Sequence, residues 1–114
     1  MPPTDPVRIR HILDAARQTM NLAEGRCRAD LDTDLTLNLS LTRLLEIIGE
    51  AARGLTPAFR DAYPEVPWHK MAGMRDRLVH AYFDVNLDIV WQTVTQDLPP
   101  LIARLERIAS GADQ

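Results

Sequence analysis

From Leu37 to Leu55 the apolar residues fall at three- and four-residue intervals: Leu37, Leu41, Leu44, Leu45, Ile48, Ala51, Ala52 and Leu55. That spacing places them along one stripe of an α-helix. A stripe so wide has to be covered by other amphipathic elements. The beginning of the same stretch carries a competing signal, because Leu35-Thr-Leu-Asn-Leu-Ser-Leu-Thr42 alternates strictly, which is the period of a strand. A strand needs a partner, and no convincing second strand exists elsewhere in the chain. The sequence therefore predicts a helix from about Asp34 to Gly54.

The rest of the chain supplies the covering helices. Asp5 is suited to cap a first helix with Pro6 in its first turn, and Gly25 to stop it. Between them, Ile9, Ile12, Leu13, Ala16, Met20 and Ala23 recur near heptad spacing. The charged stretch from Arg26 to Asp34 reads as a loop. Thr56-Pro57 opens a short helical piece ending near Tyr63. Pro64-Glu-Val-Pro67 is extended, since a residue before proline avoids the α region. Trp68 starts a helical turn leading to Gly73 and a further helical stretch. Phe83-Asp-Val-Asn86 reads as a break. Leu87, Val90, Trp91, Val94 and Leu98 mark another helix, which Pro99-Pro100 kinks or interrupts. Leu101, Ile102, Leu105 and Ile108 carry it on to Ser110-Gly111, a helix stop. An aromatic share of 5%, with Leu, Ile and Ala dominating the apolar residues, also favours helices over a β-sandwich. The expected architecture is all-α, one domain spanning residues 1–114.

Chemistry concentrates in Arg75-Asp-Arg-Leu-Val-His80-Ala-Tyr82. Arginine is a permanent cation that grips a phosphate with two parallel hydrogen bonds. Histidine both takes and gives a proton near neutral pH. Together they are the minimum kit for cleaving RNA without a metal. On a regular helix Arg75 and His80 would stand about 140° apart and could not converge on one phosphate. Either the helix loosens near His80, or the site is shared across a two-fold axis. Tyr82 would lie about 20° from Arg75, two turns on, along the same groove. The net charge of −3 excludes a broad basic face for nucleic acid, so any RNA contact has to be local or built by dimerisation. A single cysteine, Cys27, excludes an intrachain disulfide and a cysteine-based zinc site. With no membrane-length apolar run and no signal-like N-terminus, a soluble cytoplasmic protein is expected.

The stretches Leu45-Glu-Ile-Ile-Gly-Glu-Ala-Ala52, Tyr63-Pro-Glu-Val-Pro-Trp68, Gly73-Met-Arg-Asp-Arg-Leu-Val-His-Ala-Tyr-Phe83 and the late Trp91 with Asp97-Leu-Pro99 carry a resemblance. The chain resembles the HepT-type toxins of the HEPN (higher eukaryotes and prokaryotes nucleotide-binding) superfamily over nearly its whole length, with no clear match from Asp30 to Ser40. The resemblance implies an all-α, up-and-down bundle of about four to five helices that forms a homodimer. It implies a metal-independent endoribonuclease with no cofactor, acting as the toxin of a toxin–antitoxin pair. The implied partner is a cognate minimal nucleotidyltransferase, the antitoxin, which silences the toxin by transferring AMP from ATP to the motif tyrosine. On this sequence the catalytic pair falls on Arg75 and His80 and the AMPylated residue on Tyr82.

Other residues carry plainer readings. Asp76 and Arg77 are possible supporting residues. Asp76, four residues before His80, reads first as a surface ion-pair partner, and Arg77 as a solvated or partner-facing cation. Glu46 and Glu50 read as an ion-pair ladder with Arg43 and Arg53 rather than a catalytic carboxylate pair. Gly49 allows a close helix approach, with a dimer contact as one candidate. His11 and His69 lack metal-ligand spacing, and Trp68 and Trp91 read as core or interface anchors. A second class of function fits the same fold: a non-catalytic HEPN module that holds a nucleotidyltransferase or a nucleotide. The presence of both Arg75 and His80 favours the ribonuclease, because a scaffold needs neither.

Overall fold

A computed structural model describes residues 4–81 and 84–111. The helices are α1 (Asp5–Ala23), α2 (Asp30–Thr33), α3 (Leu35–Arg53), α4 (Pro57–Ala62), α5 (Trp68–Ala72), α6 (Met74–Leu78), α7 (Leu87–Gln92) and α8 (Leu98–Ser110). Two short strands, β1 (Val79–Ala81) and β2 (Asp84–Val85), pair antiparallel between α6 and α7. The fold is all-α, and this small ladder is its one departure among the described residues. No helix among them is long and apolar enough to cross a membrane.

The alternating leucines resolve as a helix. In α3, Leu37 and Leu41 point inward at 6% and 0% exposure, while Leu35 and Leu39 point out at 68% and 58%. Residues two apart on a helix face nearly opposite ways, so the alternation divides between core and solvent. The buried stripe then runs through Leu45, Ile48, Ala51 and Ala52 to Leu55. Asp34 caps α3, its carboxylate accepting the Leu37 amide at 3.0 Å. The charged segment before it contains α2, a single helical turn where a loop was expected.

Capping of α1 differs from the sequence reading. Thr4 is the cap, its hydroxyl oxygen accepting the Val7 amide at 3.4 Å, and Asp5 is the first helical residue. The Asp5 carboxylate is engaged instead by Thr56, at 3.0 Å from the amide and 2.7 Å from the hydroxyl. Thr56 is the cap of α4 and lies just beyond α3, so the start of α1 is clamped beside the end of α3. The two helices are therefore antiparallel. Arg17 of α1 pairs with Glu106 of α8 at 3.3 Å. Gly25 follows the end of α1 at φ 73° and Gly111 ends α8 at φ 76°, left-handed conformations that cost glycine little.

Pro99 and Pro100 interrupt the α-helical ladder without ending the helical run. A π-helical turn, Thr93–Asp97, joins α7 to α8 in one run. Neither proline has an N–H, and each ring would press on the carbonyl four residues back in a regular helix. The wider turn relieves that crowding. The Thr93 and Thr95 hydroxyls donate to the carbonyls of Ile89 at 2.7 Å and Trp91 at 2.9 Å, supplying donors where the ladder is irregular.

Gly49 marks a close helix contact. A Cβ there would stand 2.8 Å from the Met71 carbonyl oxygen and 3.2 Å from the Met74 Cβ. The close approach is therefore to α5 and α6 of the same chain. Gly49→Ala should destabilise the fold by about 1–3 kcal/mol, because backbone must move to admit the methyl group. Chemical denaturation of the variant checks this.

Acid should act first at the α2–α3 corner. The Leu37 amide and then the Arg26 guanidinium hold the Asp34 carboxyl below its ordinary value, and the Cys27 amide does most to lower Asp30. Groups depressed in the fold contribute stability above the unfolded aspartate value of about 4 and lose it as pH falls through the folded value. The urea midpoint should therefore hold down to about pH 5 and drop as pH falls below about 4. The drop should be shallower in Asp34→Asn, which keeps a capping oxygen without the titration.

Candidate active site

The motif helix is shorter than the apolar spacing suggested. α6 ends at Leu78, and His80 lies on β1. Val79 pairs with Val85, Ala81 with Asp84, and the Asn86 amide donates to the Leu78 carbonyl at 2.6 Å. The chain turns back on itself instead of continuing the helix. The helix does give way before His80, as one of the two readings requires. The helical angles that relate Arg75 to His80 and Tyr82 do not apply past Leu78. For the same reason Asp76 does not stand one helical turn below His80.

Met74 and Leu78, at 3% and 0% exposure, anchor α6 in the core. Arg75 and Arg77 leave the helix on opposite flanks of that buried stripe, and Asp76 points directly away from it. Arg75 and Asp76 are exposed. Among the described residues Arg75 has no carboxylate in ion-pair range, which leaves its guanidinium available to an anion. Of the two readings of Arg77, solvated or partner-facing, the first does not hold. It is half-buried, and its Nη1 is fully buried with no hydrogen-bond partner among the described residues. The backbone of His80 is placed on β1, its side chain falls outside what is described, and Tyr82 lies outside the described residues.

The junction before α6 is held by α3. The Arg53 Nη2 donates to the Ala72 carbonyl at 2.9 Å. The expected ladder on α3 forms without Arg53: Arg43 alone reaches Glu46 at 3.5 Å and Glu50 at 3.4 Å. That occupies both carboxylates and leaves Arg53 to α5. Trp68, at 6% exposure, donates its indole N–H to the Tyr63 carbonyl at 2.9 Å and meets Phe59 edge-on, fixing the start of α5. Trp91 packs partly buried against the core. His11 and His69 are exposed, and no cluster of metal-ligating side chains exists among the described residues.

Residues 12–108 match the family model described as ribonuclease HepT-like, and they include the whole of α6, the β1–β2 ladder and the core helices. The chain belongs to the HepT-like ribonuclease family. A protein of Caldanaerobacter subterraneus provisionally named an RNase is 38% identical over 88% of this chain and 89% of its own length. One of Thermococcus cleftensis provisionally named a ribonuclease HepT is 42% identical over 72% of this chain and 74% of its own. A third, from Methanocaldococcus jannaschii and also provisionally named an RNase, is 35% identical over 90% and 89%. No solved structure matches the chain. At family level, then, the fold is that of a ribonuclease.

The buried Nη1 of Arg77 is a donor without an acceptor, and such a group contributes nothing to folding. Arg77→Met, which keeps the aliphatic stem, should unfold within about 0.5 kcal/mol of the unsubstituted protein or above it. Thermal melts of the two proteins without RNA decide this.

Proposed function

We propose that this protein is a metal-independent endoribonuclease toxin with Arg75 and His80 as its catalytic pair. One observation carries the reading. In a chain of the ribonuclease HepT-like family, Arg75 stands exposed and free of carboxylates, on a short helix that gives way to a strand before His80. A cation already paired would have to give up its partner to bind a phosphate, and Arg75 has none to give up among the described residues.

The chemistry is transesterification within the RNA backbone. The ribose 2′-oxygen attacks the adjacent phosphorus as its proton leaves, the P–O5′ bond breaks, and the departing 5′-oxygen takes up a proton. His80 performs one of these two proton transfers. Arg75 stabilises the negative charge that grows on the non-bridging phosphoryl oxygens. Positioned proton transfer typically contributes about 10²–10⁴-fold, and electrostatic stabilisation adds to it. Two copies of the chain form a homodimer, which gathers two copies of each catalytic residue along one cleft.

Control is by covalent modification. The cognate minimal nucleotidyltransferase, acting as antitoxin, directs the Tyr82 phenolic oxygen at the α-phosphorus of ATP. The new bond carries AMP onto the tyrosine, and pyrophosphate leaves. The added phosphate competes for Arg75 and the adenosine blocks the RNA path.

The test is cleavage of RNA in excess EDTA by unmodified protein, with intact mass confirming that Tyr82 carries no AMP. His80→Ala and Arg75→Ala should each lower the rate by at least about 10²-fold with folding preserved. Equal cleavage by all three proteins would place the activity elsewhere. Absence of cleavage by the parent would favour the non-catalytic module that binds a nucleotidyltransferase or nucleotide.

A further inference from the structure

Charge pairing in this chain is uneven. Arg17, Arg26, Arg28, Arg43 and Lys70 each sit within 4 Å of a carboxylate. The cations around the end of α3 do not, among the described residues. Arg53 hydrogen-bonds a carbonyl, that of Ala72. The Arg8 guanidinium lies over Gly54, where a Cβ would collide with it. Arg75 is exposed and unpaired among the described residues.

Arg53, far from Arg75 in sequence, reaches the carbonyl of the residue three before it. Gly73, at φ −86° and ψ 8°, joins α5 to α6 there. Helical carbonyls point toward the C-terminal end, so the Ala72 oxygen directs the Arg53 guanidinium along the first turn of α6. That contact uses one nitrogen, and the remaining donors of this exposed side chain are free for an oxyanion. Neighbouring carboxylates do not neutralise it, since Glu50 is held by Arg43 and Asp76 leaves α6 on its outer side. Like charges at one junction of an acidic chain repel, and neighbouring backbone phosphates bound there offset the repulsion.

We infer that Arg53 is a second phosphate-binding residue, holding an RNA phosphodiester that flanks the one at Arg75. Arg8 continues the row of cations past Gly54. This rests on the ribonuclease reading and extends it: the strand lies across the α5–α6 junction toward the end of α3. A backbone contact of this kind positions RNA without reading its sequence. Arg53 is thus a positioning residue for substrates longer than one phosphodiester.

The probe is a 2′-O-methyl oligoribonucleotide, which binds but cannot be cut, titrated against unmodified protein over a range of KCl. Arg53→Gln removes the charge and the guanidinium fork while leaving one shorter amide donor on the Ala72 side. It should melt as the parent does, bind roughly tenfold more weakly, and lower the slope of log affinity against log salt by about 0.7. Arg53→Lys should keep the parental slope. In cleavage, Arg53→Gln should lose kcat/KM on the oligonucleotide through KM and leave a dinucleotide with one phosphate unaffected. A parent that cuts RNA beside an Arg53→Gln with unchanged slope and unchanged KM overturns the subsite alone. The subsite also falls if Gln and Lys melt early together and lose both substrates equally, since that marks a purely structural contact. A parent that neither binds nor cuts overturns the ribonuclease reading and the subsite with it.

Discussion

The absence of a side chain at Gly49 is the constraint on which the placement of the site depends. α3 buries one broad stripe against α1 and a second, narrower strip against α5 and α6. At Gly49 the second contact is backbone to backbone, with the Met71 carbonyl where a methyl group would stand. One turn later, Arg53 reaches across to the next carbonyl, that of Ala72. Glycine lets the junction come close, and arginine holds it by a charge-assisted hydrogen bond. Arg75 follows three residues on. Its position is thus fixed from α3, with Met74 and Leu78 of the same short helix buried in the core beside it.

Where that support ends, the helix ends. After Leu78 the chain takes up β1, and the Asn86 amide closes on the Leu78 carbonyl at 2.6 Å. The carbonyl that would have continued the helical ladder is used by the returning strand. Asn86 then caps α7, its side-chain oxygen accepting the Ile89 amide at 3.1 Å. One residue both closes the ladder and starts the next helix. Arg75 is carried by a helix and His80 by a strand, so their separation is set by the hairpin rather than by helical phase. A pair held this way can adopt a geometry that no position on a continuous helix allows.

The long helices were legible because burial has a period. The stripes predicted in α1 and α3 are found in the core, with Met20 and Leu44 only partly buried, and even the strand-like leucines obey the helix once Leu35 and Leu39 are seen facing out. Turn chemistry was legible at Gly25, Thr56 and Gly111, where the local residue decides the backbone. What failed depended on partners distant in sequence. Asp5 has the side chain of a cap, but Thr56 claims its carboxylate. Arg53 has the spacing of a helix ladder, but Ala72 lies nearer than a free carboxylate. The end of α6 gives no local sign, since Leu78, Val79 and Ala81 suit either structure. Of the proposed site, Arg75 stands exposed as its chemistry requires, and Arg77 is half-buried where a solvated or partner-facing residue was read. No periodicity reports which flank of a five-residue helix is covered.

An acidic chain is not thereby a poor partner for RNA. At physiological salt, charges more than about 8 Å apart are largely screened from one another, so a phosphate responds to its immediate neighbours and hardly to the net charge of −3. Here the acidic residues are spent locally. Asp30, Asp32, Asp34 and Asp88 hold Arg26 and Arg28 at the α2–α3 corner, and Glu46 and Glu50 hold Arg43 on the outer face of α3. Among the described residues, the cations that remain unmatched by carboxylates include Arg53 and Arg75, on the two sides of the junction that Gly49 lets come close. What distinguishes this surface is not the number of arginines but the removal of carboxylates from one short stretch of it. On the proposed reading, that arrangement gives a small anion-binding site with little general affinity for nucleic acid. It suits an enzyme that has to engage one stretch of backbone and then let go.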